Sequence, residues 1–201
     1  SGSLFGVWID SKTGRRFVDE FGDRKVCTDA ILGVINAGGK ALAVSDQNGI
    51  EELEVVRPGL TEKILKSGAL RKFDSLEALA QGCGVEVNTL KETFGRYNEL
   101  LAGGRDADYG RRFDKRAQPL GRAPFYVSEM SPKVHHCMGG MATNVTTAVL
   151  DVETDEPIPG LFAAGECVGG IHGAVRIGAC AGMDCRVNGR QAGRAAAQSK
   201  L

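Results

Sequence analysis

Gly160-Leu161-Phe162-Ala163-Ala164-Gly165-Glu166, followed by Gly169-Gly170-Ile171-His172-Gly173-Ala174-Val175-Arg176, is the stretch on which the reading of this chain turns. The apolar run from Leu161 to Ala164 reads as a buried strand whose end opens into a loop almost free of side chains. Glycines at such a place let backbone approach a large flat ligand, and their N–H groups can meet carbonyl or phosphate oxygens. Glu166, at the strand's end, is placed to accept hydrogen bonds from sugar hydroxyls. From about Cys180 to Ala197 the pattern is helix-like despite Gly182, Gly189 and Gly193, and such a helix aims its positive N-terminus at the ligand. A tight structural turn would produce the same glycine density. The glycines alone leave the two readings level.

Working upstream, Met138-Gly139-Gly140-Met141 leads into alternating residues up to Leu150, and Asp151 to Pro157 is a polar turn. Before Pro132 the character differs. Leu4 to Ile9 is apolar, Asp10-Ser11-Lys12-Thr13-Gly14 turns the chain, and Arg16-Phe17-Val18 resumes extended structure, which predicts a hairpin. Asp23 to Val34 predicts a helix with Val26, Ala30 and Val34 on one face. Ala41 to Val44 reads as a short buried strand before an Asp46-Gln47-Asn48-Gly49 turn. Ser75 precedes a helix that ends near Gly82 and Gly84. Asn88 or Thr89 caps a longer one running to about Leu101, stopped by Gly103-Gly104. Leu90, Phe94, Tyr97 and Leu101 form one apolar stripe on it, read as core packing. The boundary is expected near residue 137, giving a unit over 1–137 and a second over 138–201.

Composition narrows the classes. Twenty-five Lys and Arg balance twenty-five Asp and Glu, so no general attraction to nucleic acid or an anionic membrane is expected. No apolar run approaches the ~20 residues that span a bilayer. The six cysteines form no CxxC pair and read as free thiols, three of them in stretches that look buried; neither a zinc site nor a disulfide framework is expected. A cytoplasmic setting is favoured, with a periplasmic one open because Ser1-Gly2-Ser3 carries no targeting information.

The residues 159–184 resemble the C-terminal FAD-contacting motif of the fumarate reductase/succinate dehydrogenase flavoproteins, within that group the flavocytochrome c type. Val134-His135-His136-Cys137-Met138-Gly139-Gly140 resembles that family's paired-histidine segment, at the junction of capping and flavin domains. Gly14 to Glu20 with Asp23-Arg24 resembles its capping-domain segment with the catalytic arginine. The likeness runs in the family's order from about residue 4 to 198. It implies an α+β capping domain followed by the C-terminal segment of a Rossmann-like α/β FAD-binding domain. It also implies a reductase that moves hydride from reduced FAD to the C=C bond of an unsaturated carboxylate.

Position by position, the resemblance implies that Arg24 is the proton donor and that His135 and Arg176 grip a substrate carboxylate, with Ala179 beside them. It implies that His136, Gly165, Glu166, Ala181 and Gly182 contact the flavin, several through backbone. From residue chemistry alone, Arg24 would instead pair with Asp19, Glu20 or Asp23, and the adjacent histidines would pack or bind metal. As neighbours in an extended segment they point to opposite faces, so one shared metal is not expected. The family has Asn-Arg-Leu-Gly-Gly-Asn where this chain has Val175-Arg176-Ile177-Gly178-Ala179-Cys180, so fumarate itself is not to be assumed; urocanate or a cinnamate-like acid is equally open. No Gly-x-Gly-x-x-Gly follows an N-terminal strand, so the chain alone is expected to bind FAD weakly or not at all. The remaining FAD-binding half and an external electron donor are the expected partners. Two other readings stand: a non-catalytic module of the same fold, and a ketosteroid-type flavin dehydrogenase run oxidatively.

Overall fold

The computed structural model describes residues 5–199, so the expected start of the first strand at Leu4 lies outside the described residues. The chain divides into two compact units, Ser1–Pro132 and Lys133–Leu201. The break thus follows Pro132, a little before the position expected from sequence.

The first unit is built on a four-stranded antiparallel sheet with strands β1 (Val7–Asp10), β2 (Ala41–Ser45), β3 (Arg71–Phe73) and β4 (Phe125–Met130), in the order β1-β2-β4-β3. Both faces are covered, and side-chain alternation shows how. Val7, Ile9, Leu42, Val44, Phe125 and Val127 enter one core; Trp8, Ala41, Ala43 and Tyr126 enter the other. The first core is closed by α4 (Leu76–Cys83) and α5 (Val87–Ala102), the second by α1 (Arg24–Asn36), α2 (Gln47–Val56) and α3 (Leu60–Lys66). Helices therefore flank a sheet on both sides, a mixed α/β arrangement.

Local chemistry sets the ends of these elements. Asp23 caps α1 by accepting from the N–H groups of Lys25 and Val26, and Ser75 caps α4 through Ala78. Gly84 closes α4 at φ 69°, a left-handed conformation that glycine adopts without strain. Several expectations need correction. The buried face of α1 is Cys27, Ile31 and Val34, and Val26, expected on that face, is 50% exposed. Residues 16–18 form no strand: Ile9 meets Arg16 in a single bridge, while the ladder partner of β1 is β2. The Asp46 turn is a helix start, because Asp46 accepts from Gly49 N–H with one oxygen and from Gly121 and Arg122 N–H with the other. Helix α5 begins after Glu86, with no side-chain cap. Its buried stripe is Leu90, Thr93, Phe94, Tyr97 and Leu100, so Leu100 takes the place expected of Leu101.

A buried ion network ties the loops of this unit together. Arg16 makes a two-pronged bond to Glu20, at 2.8 Å on each prong, and reaches Asp106 at 2.8 Å. Arg111 bonds Glu20 at 3.1 Å and the Gly6 carbonyl at 2.7 Å. The guanidinium faces also meet rings, Arg16 over Tyr109 and Arg111 over Phe21. Burial alone would push Asp106 up. The bond and charge of Arg16 and the N–H groups of Tyr109 and Asp108 outweigh it, holding that carboxyl below its ordinary value.

The second unit is smaller. Strands β5 (Ala148–Leu150) and β6 (Pro157–Phe162) form a bulged antiparallel hairpin, a single 3-10 turn covers Gly165–Cys167, and α6 runs over Cys180–Gln198. Its buried apolar cluster is Val149, Ala163 and Val168 alone. The run Leu161 to Ala164 is consequently not the buried strand expected: Leu161 is 43% exposed and Ala163 carries the burial. The cysteines are all free thiols, but only Cys27 is buried, where three were expected to be.

Two stability measurements check this account. Leu90→Ala should cost about 2–5 kcal/mol in urea unfolding of the full chain, and Leu101→Ala, only partly buried, clearly less. The second is acid stability. The depressed pKa of folded Asp106 gives stability that is complete above its unfolded value of about 3.9 and is lost as pH falls through the lower folded value. Asp106→Asn should lower stability at neutral pH by about 3–5 kcal/mol and flatten the decline below about pH 4.

Candidate functional site

Arg24 opens α1 and is exposed. Its competing partners are engaged elsewhere: Glu20 with Arg16 and Arg111, Asp23 with the helix N-terminus, Asp19 with the N–H of Phe21. Among the described residues Arg24 makes no ion pair, so the salt bridge weighed from sequence does not form. The turn before it is held by Gly22 N–H bonding the Asp19 carbonyl and by the Cys27 thiol against the Asp19 and Gly22 carbonyls.

The glycine-rich segment of the second unit is a place where backbones close on one another. Met141 and Val168 form a parallel bridge, with Met141 N–H bonding the Cys167 carbonyl and Gly169 N–H the Met141 carbonyl. A Cβ on Gly140 would lie 2.3 Å from the Cys167 carbonyl oxygen, and one on Gly169 2.8 Å from the Gly140 nitrogen. Gly165 has φ 78° and packs against Cys185. Farther along, Gly170, Gly173 and Gly182 face open space. The first group of glycines thus serves backbone packing, and the second leaves a bare surface. Beside it lies a cleft of about 400 Å³ lined by Asn144, Thr147, Ala164, Gly169, Gly170 and Asn188 among others. A hollow of about 620 Å³ along α6 is a gap between the exposed side chains of Arg186, Arg190 and Arg194, with no enclosing wall.

The paired histidines diverge as expected. His135 is exposed, while the His136 side chain is 6% exposed, with Nδ1 3.5 Å from Glu166 Oε2. The other Glu166 oxygen accepts from Cys137 N–H at 2.9 Å, so half of this carboxylate's capacity is already used inside the protein. The His136 ring meets His172 edge to face, centroids 5.3 Å apart at 71°. His172 Nε2 in turn lies 3.3 Å from Asp184 Oδ2. Asp184 was missed in the sequence. Its signal is that α6 contains one acidic residue, on the turn after Cys180, and the structure buries it.

Arg176 is buried at 6% exposure. Its Nη1 bonds the Ile177 carbonyl at 3.0 Å, and its Nε has no partner. Ala179 stands at φ 68°, a left-handed backbone that L side chains rarely adopt, and begins α6 without a side-chain cap. Ala181 and Gly182 lie in the first turn of that helix. An open glycine surface, a helix N-terminus with no side-chain cap and an orphaned buried N–H together suit a flat ring bearing carbonyl oxygens. The residues fit a flavin.

Comparison with known proteins agrees. A family model described as FAD binding domain matches residues 3–181. The acrylate reductase flavoprotein subunit of Shewanella woodyi is 38% identical over 188 residues, covering 94% of this chain and 37% of the relative. A cytochrome-type fumarate reductase of Shewanella frigidimarina is 35% identical over 193 residues, covering 96% of this chain and 32% of the relative. The solved open conformation of a flavocytochrome c3 fumarate reductase superposes with a TM-score of 0.70 at 36% identity, over 96% of this chain and 33% of that one. The chain spans about a third of the length of these relatives. Its match over nearly all of its residues places it in the FAD-binding-domain family of flavoproteins, whose cofactor is FAD.

Proposed function

We propose that this chain is the substrate-capping domain and closing flavin segment of an FAD-dependent reductase that saturates the C=C bond of an unsaturated carboxylate. The observation that carries the reading is Arg176. Every other buried arginine described, Arg16 and Arg111, sits against Glu20 or Asp106. Arg176 is equally buried, with a backbone carbonyl as its only partner among the described residues. A buried guanidinium without a counter-ion costs several kcal/mol, and an anionic ligand offsets that. The relatives' names, acrylate and fumarate reductase, point to carboxylates as that anion.

FAD, when bound, supplies a hydride equivalent to one carbon of the alkene. This chain's residues do the rest. Arg176 and His135 donate hydrogen bonds to the substrate carboxylate, which polarises the conjugated double bond and fixes its orientation. The Arg24 guanidinium donates a proton to the neighbouring carbon. Arginine is a very weak acid, so it serves as the donor only while the site stabilises its momentary neutral form and returns a proton to it. Its freedom from Glu20 and Asp23 supports the role, because an arginine locked to a carboxylate gives up its proton less readily. Glu166, Ala181 and Gly182 would hold the flavin with His136, Gly165 would do so through its backbone while its α-carbon packs against Cys185, and Ala179 with its neighbour Cys180 would set the pocket that departs from the family pattern. Another stretch of polypeptide supplies the pyrophosphate seat, and an external donor supplies electrons.

The test is a screen of acrylate, fumarate, urocanate and cinnamate-like acids with reduced viologen, using the whole flavin-loaded protein that carries this chain. Arg176→Gln should lower kcat/KM by about 10²–10³. Arg24→Gln should lower kcat by a comparable ~10²–10⁴ while leaving KM nearly unchanged. Reduction of none of these acids, or full activity in Arg24→Gln, would sink the reading.

A further inference from the structure

Two imidazoles and two carboxylates of the second unit form a line: Glu166, His136, His172, Asp184. We propose that Asp184 and His172 are positioning residues for His136, and that the two carboxylates fix opposite tautomers in the two rings. This rests on the reading above, that His136 lies at the flavin.

The argument starts at Asp184, whose side chain is 4% exposed on α6. A carboxylate at that depth needs donors. One oxygen has Asn188 Nδ2 at 2.6 Å; the other has His172 Nε2 at 3.3 Å. That approach is short in distance but off the N–H direction, and His172 Nε2 makes no aligned hydrogen bond. Charge and proximity therefore do the selecting: a ring nitrogen turned toward a buried carboxylate is favoured with its proton on that nitrogen. His172 is then the Nε2–H form. Its ring, 12% exposed, stands edge to face against His136 and limits the rotation of that ring. His136 Nδ1 lies 3.5 Å from Glu166 Oε2, again without an aligned hydrogen bond, and the same charge preference puts its proton on Nδ1 and leaves Nε2 as an acceptor. Glu166 does not drift, because its second oxygen is bound to Cys137 N–H. The neighbouring His135 is exposed and serves as the internal reference.

The chain has three histidines, so ¹⁵N-histidine spectra of the full chain at about pH 8, above the ordinary imidazole pKa of ~6.5, contain three rings to assign. The expected result is His136 mainly Nδ1–H, His172 mainly Nε2–H, and His135 with the solvent mixture. Asp184→Asn, which keeps the shape, should shift the His136 and His172 ratios by about tenfold toward that of His135. His172→Ala should do the same to His136, whereas His172→Phe, which retains an edge-to-face ring, should preserve it. A His136 spectrum unchanged in both Asp184→Asn and His172→Ala overturns the proposal, as does a His136 that is mainly Nε2–H at the outset. The flavin reading is tested separately by His136→Ala in the flavin-loaded protein. Unchanged FAD affinity and potential there would remove the flavin contact while leaving the tautomer result standing.

Discussion

The carboxylate of Glu20 is the point to which the first unit is tied. It accepts from the backbone N–H of Trp8 on β1, from both prongs of Arg16, and from Arg111, which is ninety-one residues away in sequence. Arg16 carries the connection on to Asp106, and Arg111 returns it to the carbonyl of Gly6. An edge strand, the turn before α1 and the long loop after α5 therefore share one set of charges. Because all four charged side chains are buried, none can leave without exposing another, and the loops are held more firmly than their irregular backbone would suggest. Arg24 stands four residues beyond Glu20, at the start of α1 and outside this set of charges.

The two units solve burial differently. In the first, period-two alternation on β1, β2 and β4 sends one set of side chains to each face, and helices cover both. In the second, four small apolar residues, Ala148, Val149, Ala163 and Val168, are buried, while Leu161, Ile171, Ile177, Met183 and Val187 remain exposed. The relatives this chain matches are about three times as long, and the glycine surface lies within this less covered unit.

How far the sequence could be read follows from which signals are local. Ser75 and the glycine stops placed α4 and the end of α5, because Ser75, Gly84 and Gly103 act on backbone groups within a few residues, whereas α1 was placed by an apolar spacing that named Val26 where the structure buries Cys27. Strands β3 and β4 went unread, since Arg71-Lys72-Phe73 has no alternation and the pairing of Phe125–Met130 is decided by partners far along the chain. Asp46 looked like a turn residue because its bonds to Gly121 and Arg122 are invisible locally. For the candidate site the motifs named the glycines, His135, His136 and Arg176, yet could not show that Glu20 was taken by Arg16 or that Asp184 stands behind His172. Long-range ion pairs leave no periodic trace.

The contrast among the buried arginines carries the chemistry furthest. Arg16 and Arg111 are paired within the protein with carboxylates and aromatic faces, although Arg16 Nη1 and Arg111 Nε have no hydrogen-bond partner. Arg176 is not, and the residue after it, Ile177, is 76% exposed, so the backbone at this point leaves the protein's interior at once. A fold that needed Arg176 only for stability would supply an acid, as it does twice in the first unit. Leaving Arg176 with a backbone carbonyl and no carboxylate among the described residues stores a preference for an anion of the right shape, and a planar fork of donors prefers a carboxylate. In the reaction proposed above, the same preference would favour negative charge developing on a conjugated carboxylate during hydride addition, so that an arginine holding the ground state would also stabilise the transition state.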